Sequence, residues 1–106
     1  MTRSVLVFPI LPGRRDEFVA AFMRLGVLRR ASRQPGFRRS QLHAPVDGRD
    51  EVVVTADWDS PEAYQGWLEN PVRGEIQAVL GPLLAADPEP RVYEVVEDVV
   101  PGEDEP

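Results

Sequence analysis

The chain has 106 residues, 42% of them hydrophobic and 28% charged, with a formal net charge of −6 and no cysteine. That length gives room for one small domain, which hides a modest fraction of its surface and gains from burying more against a second subunit. The acidic balance argues against nucleic acid as a partner, because phosphate binding rests on clustered positive charge, and the missing thiols exclude disulfides, cysteine nucleophiles, iron–sulfur clusters and cysteine-based zinc sites.

The first element is the apolar run SVLVFPIL, Ser4 to Leu11, closed by Pro12-Gly13 as expected of a buried strand. In RRDEFVAAFMRLGVLRRASRQ, Phe18, Ala21, Phe22, Leu25 and Leu28 recur at helical spacing, with Asp16 and Glu17 in the first turn and arginines in the last. This predicts one helix, stopped by Pro35-Gly36. Arg24, Arg29, Arg30, Arg33, Arg38 and Arg39 fall together here; a solvated helix end accounts for them, with an anion-binding patch as the alternative.

FRRSQLHA (Phe37 to Ala44) and EVVVTADW (Glu51 to Trp58) flank PVDGRD, whose Asp47-Gly48 signals a hairpin. With those two residues at the tip, His43 pairs with Val52, Gln41 with Val54, Arg39 with Ala56 and Phe37 with Trp58. Paired residues share a sheet face, so this register puts His43 and Trp58 on the same side of the sheet, and a one-residue slip reverses the result.

Ser60-Pro61-Glu62 starts a helix, with Ser60 as N-cap and Pro61 in the first turn, and Tyr64, Trp67 and Leu68 on one face. Asn70-Pro71 interrupts it; a second segment carries Val72, Ile76, Val79, Leu80 and Leu83, and Gly81-Pro82 weakens its end. RVYEVVEDVV, Arg91 to Val100, reads as the last strand, and PGEDEP as a disordered acidic tail. Residues 1–100 thus form a single domain and 101–106 the tail.

The order β-α-β-β-α-β is the ferredoxin-like α+β unit: one antiparallel sheet with helices on one face. The other face is predicted to carry Leu42, Val53 and Thr55, too apolar to stay wet in so small a protein. A symmetric homodimer that packs two such sheets together covers it. No apolar run approaches the roughly 20 residues that span a bilayer, and the start MTRSVLVFPILPGRRDEF lacks the features of a secretory signal, so a cytoplasmic protein without membrane partners is expected. No metal site is predicted, since His43 is the single histidine and has no closely spaced set of carboxylates around it. Nucleotide loops of the G-x-x-x-x-G-K-[ST] or G-x-G-x-x-G type are missing.

Chemistry then concentrates in TADWDSPEAYQGWLENP, which holds both tryptophans and one of the two tyrosines. Trp58 ends a strand, where a large aromatic either plugs the core or walls a pocket. Trp67 reads as core with an edge toward such a pocket. The Tyr64 phenol needs a partner if buried, which suits proton handling or hydrogen bonding. His43 is the side chain suited to a general base, or else an exposed, structurally bonded residue. Arg39 shares its predicted face and can steady a phenolate. Arg73 can do so from the helix, with a surface salt bridge as the alternative.

The stretch PGFRRSQLHAPVDGRDEVVVTADWDSPEAYQGWLENP resembles the signature of antibiotic-biosynthesis-monooxygenase domains: P-G-F, a strand, a variable hairpin, then V-V-x-x-x-x-W-x-S-x-x-A-Y/F with a second aromatic three residues on. The resemblance implies a dimeric α+β barrel. GFRRSQLHAPVDG is more similar to the branch acting on aromatic polyketides, which oxidises anthrone-type or naphthacenone-type phenols to quinones with molecular oxygen and no cofactor. Its implied partners are a small aromatic substrate and O2. Trp58, Tyr64 and His43 match the pocket residues of that branch, with His43 or Tyr64 assisting deprotonation. Trp67 walls in the rings, while Gln77 and Arg39 hydrogen-bond the oxygens. Val54 stands where that branch carries an asparagine. Gln77 stands where it carries an arginine, and where haem-degrading relatives carry the iron-ligating histidine. Val7-Phe8-Pro9 also lacks the asparagine of the haem branch. Two alternatives use the same fold: a polyketide cyclase, dehydratase or rearrangement enzyme, and a non-catalytic ligand-binding accessory protein.

Overall fold

The computed structural model describes residues 1–102. Strand β1 (Thr2–Pro9) leads into helices α1 (Arg15–Arg24) and α2 (Val27–Ala31), the hairpin of β2 (Phe37–His43) and β3 (Glu51–Trp58), helices α3 (Pro61–Leu68) and α4 (Val72–Leu80), a 3-10 turn at Gly81–Leu83 and strand β4 (Glu89–Glu94). The strands lie in the order β2-β3-β1-β4, antiparallel throughout. This is the expected ferredoxin-like α+β arrangement, with the helices packed on one face of the sheet. No helix among the described residues is long and apolar enough to cross a membrane.

The helix-facing side of the sheet is set by alternation: Ser4, Leu6 and Phe8 of β1 pair with Ala56, Val54 and Val52 of β3. Phe8 meets Phe18 and Phe22 of α1, with ring centroids 5.2 and 6.4 Å away. Phe18, Ile10 and Val52 are fully buried beside them. Burying each such side chain contributes about 1.5–3 kcal/mol, which is the main reason α1 lies where it does.

Several boundaries differ from those read in the sequence. β1 covers Thr2–Pro9 rather than Ser4–Leu11, because Pro9 has no N–H to extend the ladder; Ile10 instead donates to the Asp50 carbonyl at 2.9 Å. The single predicted helix is two, broken at Gly26, which takes a left-handed φ of 64°. β4 ends at Glu94 rather than Val100. Its partner β1 begins at Thr2, paired with Glu94, and once the Val95 N–H has bonded the Met1 carbonyl no strand remains beside it. Val96, 90% exposed, and Val99 then lie on the surface. Of the predicted acidic tail, Pro101 and Gly102 form a turn and residues 103–106 lie outside the described residues.

The hairpin register is the consequential correction. Phe37 pairs with Trp58 as expected, but Arg39 pairs with Asp57, Gln41 with Thr55 and His43 with Val53. A β-bulge between Phe37 and Arg39 inserts one extra residue, Arg38, and everything beyond it changes face. His43 and Arg39 therefore lie on the open face, away from Trp58. Leu42, predicted on the open face, pairs with Val54 and turns toward the helices, while Val53 and Thr55 remain on the open side with Val5 and Val7.

Candidate active site

Between the helix-facing side of the sheet and α2, α3 and α4 lies a cavity of about 630 Å³, within the range of small-molecule sites. Its floor includes Ser4 and Leu6 of β1 and Val54, Ala56 and Trp58 of β3. Tyr64 and Trp67 of α3, Arg73 and Gln77 of α4, and Val92 of β4 form its walls.

The corner between β3 and α3 positions the aromatic part. Ser60 adopts extended backbone and its side chain accepts the Ala63 N–H at 3.2 Å, while Pro61 occupies the first helical turn. The chain therefore turns sharply after Trp58, and Tyr64 arrives over the indole with ring centroids 5.7 Å apart at 48°. Phe37 meets the same indole edge-on, at 5.4 Å and 86°. Trp58 is 1% exposed, and its Nε1 donates to Ser4 Oγ at 3.1 Å. Its position is fixed from three sides.

Tyr64 is buried as a residue, yet its hydroxyl has no hydrogen-bond partner among the described residues. Because none of their buried side-chain nitrogens or oxygens lacks a partner, that hydroxyl reaches open space. Burial pushes the phenol above its ordinary value, and the Arg73 charge pulls in the opposite direction. Arg73 is half-buried and donates to the Leu68 carbonyl at 3.3 Å. It makes no salt bridge among the described residues, so the surface ion pair considered from sequence is replaced by a place on the cavity wall. Asn70 holds the start of α4, its Oδ1 accepting the Val72 N–H at 3.0 Å.

The structure thus brings Trp58, Tyr64, Trp67, Val54, Gln77 and Arg73 around one cavity and leaves His43 and Arg39 outside it. On the open face His43 Nε2 lies 2.9 Å from Thr55 Oγ1. Arg39 borders a polar cleft of about 100 Å³ with Gln41, Thr55 and the Arg3–Asp57 pair. That pair is bidentate, at 2.7 and 3.0 Å, and the Asp57 carboxylate holds the Arg3 guanidinium above its ordinary value. Three polar residues lining the cavity escape the sequence reading, Ser4, Ser40 and, at its exposed edge, Arg91. Ser4 has a signal, a hydroxyl in phase with Leu6 and Phe8 on an otherwise apolar strand; Ser40 has none, because its face depends on the bulge.

Among the described residues no three His, Asp or Glu side chains cluster as metal ligands. The cavity wall carries no imidazole, so this chain offers no histidine to a haem iron there. What the cavity supplies is a flat aromatic surface, a hydroxyl, a guanidinium and a carboxamide.

A sequence model of the family described as antibiotic biosynthesis monooxygenase matches residues 1–79. Among solved structures, the chain is similar to a monooxygenase from the gene ActVA-Orf6 of Streptomyces coelicolor in complex with nanaomycin D. Identity is 27%, covering 94% of this chain and 91% of that one, with a TM-score of 0.80. It is also similar to SnoaB, a cofactor-independent oxygenase from Streptomyces nogalater, at 25% identity over 94% and 96% of the two chains and a TM-score of 0.75. Among curated proteins, an uncharacterized protein of Synechococcus elongatus is 29% identical over 85 residues, 79% of this chain and 40% of the relative. A mycobilin-producing heme oxygenase of Mycobacterium tuberculosis is 43% identical over 37 residues, 35% of each chain. These matches cover less than half the length of either curated relative.

Proposed function

Since the chain belongs to the antibiotic biosynthesis monooxygenase family, we propose that it oxidises an aromatic polyketide-like phenol, of anthrone or naphthacenone type, to a quinone with O2 and without a resident cofactor. The family and its oxygenase neighbours support a monooxygenase-type function. The observation that carries the finer reading is the cavity lined by Trp58, Tyr64 and Trp67, mostly apolar and with the Tyr64 hydroxyl free to meet a ligand.

Such a reaction balances without a further reductant. A ring methylene loses two hydrogens and gains one oxygen atom from O2, and the other oxygen atom leaves as water. The ionised ring supplies the electrons. The protein then has to bind the ring, keep bulk water away and hold developing charge in place. Trp58 and Trp67 form the aromatic walls, and Tyr64, Gln77 and Arg73 meet the oxygens, while Val54 packs against the ring. His43 and Arg39 lie on the opposite face of the sheet and have no part in this cavity.

The open sheet face supports a homodimer. Val5, Val7 and Val53 form an apolar centre there, bordered by Arg3, Arg39, His43 and Tyr93. A two-fold pairing of these faces buries the valines of both copies.

The test is turnover of 1,8-dihydroxyanthrone by metal-free protein in air and under argon. Product and oxygen uptake are expected in air, and neither under argon. Equal product in both atmospheres contradicts the oxidation and selects the cyclase or rearrangement chemistry.

A further inference from the structure

Among the described residues, the cavity wall has no group that takes up a proton near neutral pH. Its titratable side chains among the described residues are Tyr64 on α3, Arg73 on α4 and Arg91 on β4. Arg91 lies at the exposed edge, and its cross-strand partner Val5 belongs to the open face. β1, β2, β3 and the α1–α2 pair contribute only uncharged side chains, and among the described residues no carboxylate or imidazole faces the space. Burial raises the Tyr64 phenol above its ordinary value, so near neutral pH its hydroxyl is a donor rather than a base. His43, the single histidine, is on the other side of the sheet.

Arg73 is the complement to this absence. Its guanidinium lines the cavity half-buried, with one nitrogen spent on the Leu68 carbonyl and no carboxylate neutralising it among the described residues. An anion entering an apolar cavity is costly unless a charge or donor meets it. Arg73 provides the charge and Tyr64, across the same cavity, provides an O–H donor.

Resting on the oxygenase reading, we propose that the site takes its substrate already ionised: a flat aromatic monoanion whose oxygen lies against Arg73 and accepts a hydrogen bond from the Tyr64 hydroxyl. Arg73 is then the residue that selects the charge state, and the acidity of the substrate itself, rather than a base on the protein, sets the lower limit of the working pH. Substrates of this class are phenols or enols acidic enough to ionise in water. Neutral isosteres are excluded by the charge left unpaired on Arg73.

The test uses 2-hydroxyanthraquinone, an unreactive probe whose ionisation is read from its own visible absorption. The full chain in excess should lower the apparent pKa of the dye by about one unit or more, equal to about tenfold tighter binding of the anion. Arg73→Gln should abolish the shift and Arg73→Lys should retain part of it. A bound-dye pKa at or above the free value, failure of the folded protein to bind the dye, or a full shift in Arg73→Gln overturns the proposal. If Arg73→Gln does not fold, Tyr64→Phe provides the second reading, with a smaller shift expected and an unchanged one counting against the proposal. Oxygen uptake with the anthrone is measured separately. Uptake alongside an unshifted dye overturns this inference and leaves the oxygenase standing; a shifted dye without uptake does the reverse.

Discussion

Trp58 Nε1 donates to Ser4 Oγ across 3.1 Å, tying the last residue of β3 to β1 beneath the floor of the cavity. Ser4 Oγ in turn lies 3.5 Å from the Ala56 carbonyl. Ser4→Ala leaves the indole N–H buried without an acceptor, so a loss of about 1–3 kcal/mol in unfolding free energy is expected. Urea denaturation measures it. A change below the error of the fit means that the indole is held by packing with Phe37 and Tyr64 alone.

Gly36 is the second structural requirement of the site. Its φ is 86°, and a Cβ there would lie 2.5 Å from the Cβ of Ala63 on α3. The Gly36 carbonyl accepts the Asp59 N–H at 2.8 Å, holding the β3–α3 corner against the entry to β2. Gly36→Ala should destabilise by about 2–4 kcal/mol, combining left-handed strain with overpacking. Adding Ala63→Gly should recover the steric part and leave the backbone part. Full recovery in the double variant contradicts the strain component.

Tyr64 predicts an alkaline limit to stability. Its folded-state pKa is raised by burial above the ordinary phenol value of 10.0. Below that ordinary value the phenol is protonated in both states and no stability is lost. As pH rises past it, the unfolded chain ionises first, so it binds fewer protons than the folded one and unfolding becomes easier until the folded pKa is passed. Thermal unfolding of the wild type should therefore fall more steeply above about pH 10 than that of Tyr64→Phe. Parallel curves for the two proteins would show that the Tyr64 phenol is as free to ionise in the fold as outside it.

How much of this was legible in the sequence depends on whether a feature is local. The Ser60-Pro61 cap, the helical face of Tyr64 and Trp67, and the Phe37–Trp58 pairing follow from side-chain chemistry over a few residues, and each is found as expected. The side of the sheet taken by Arg39 and His43 depends on one extra residue, Arg38, that carries no turn or glycine signal. Its effect on the site is large, since it moves the single histidine out and brings Ser40 in. The break at Gly26 and the early end of β4 are likewise invisible to periodicity. The first needs a backbone angle and the second needs knowledge of where β1 begins.

The valines of the open face lead to a prediction about assembly. Light scattering should give a mass of twice 11.9 kDa for the wild type. Val53→Glu, at the centre of that face, should give the monomer with an unchanged far-ultraviolet spectrum, because burying an unpaired carboxylate in an apolar interface is costly. A wild-type monomer at micromolar concentration contradicts the proposed interface.

A monooxygenase must place an atom of O2 in its product, so the source of the new oxygen decides whether this chain is one. Turnover of 1,8-dihydroxyanthrone under 18O2 in ordinary water, followed by mass spectrometry of the quinone at early times, should show one heavy oxygen atom in the product carbonyl. A quinone control incubated in labelled water corrects for exchange. Product carrying only light oxygen under 18O2, with exchange accounted for, contradicts a monooxygenase reaction in the cavity lined by Trp58 and Tyr64.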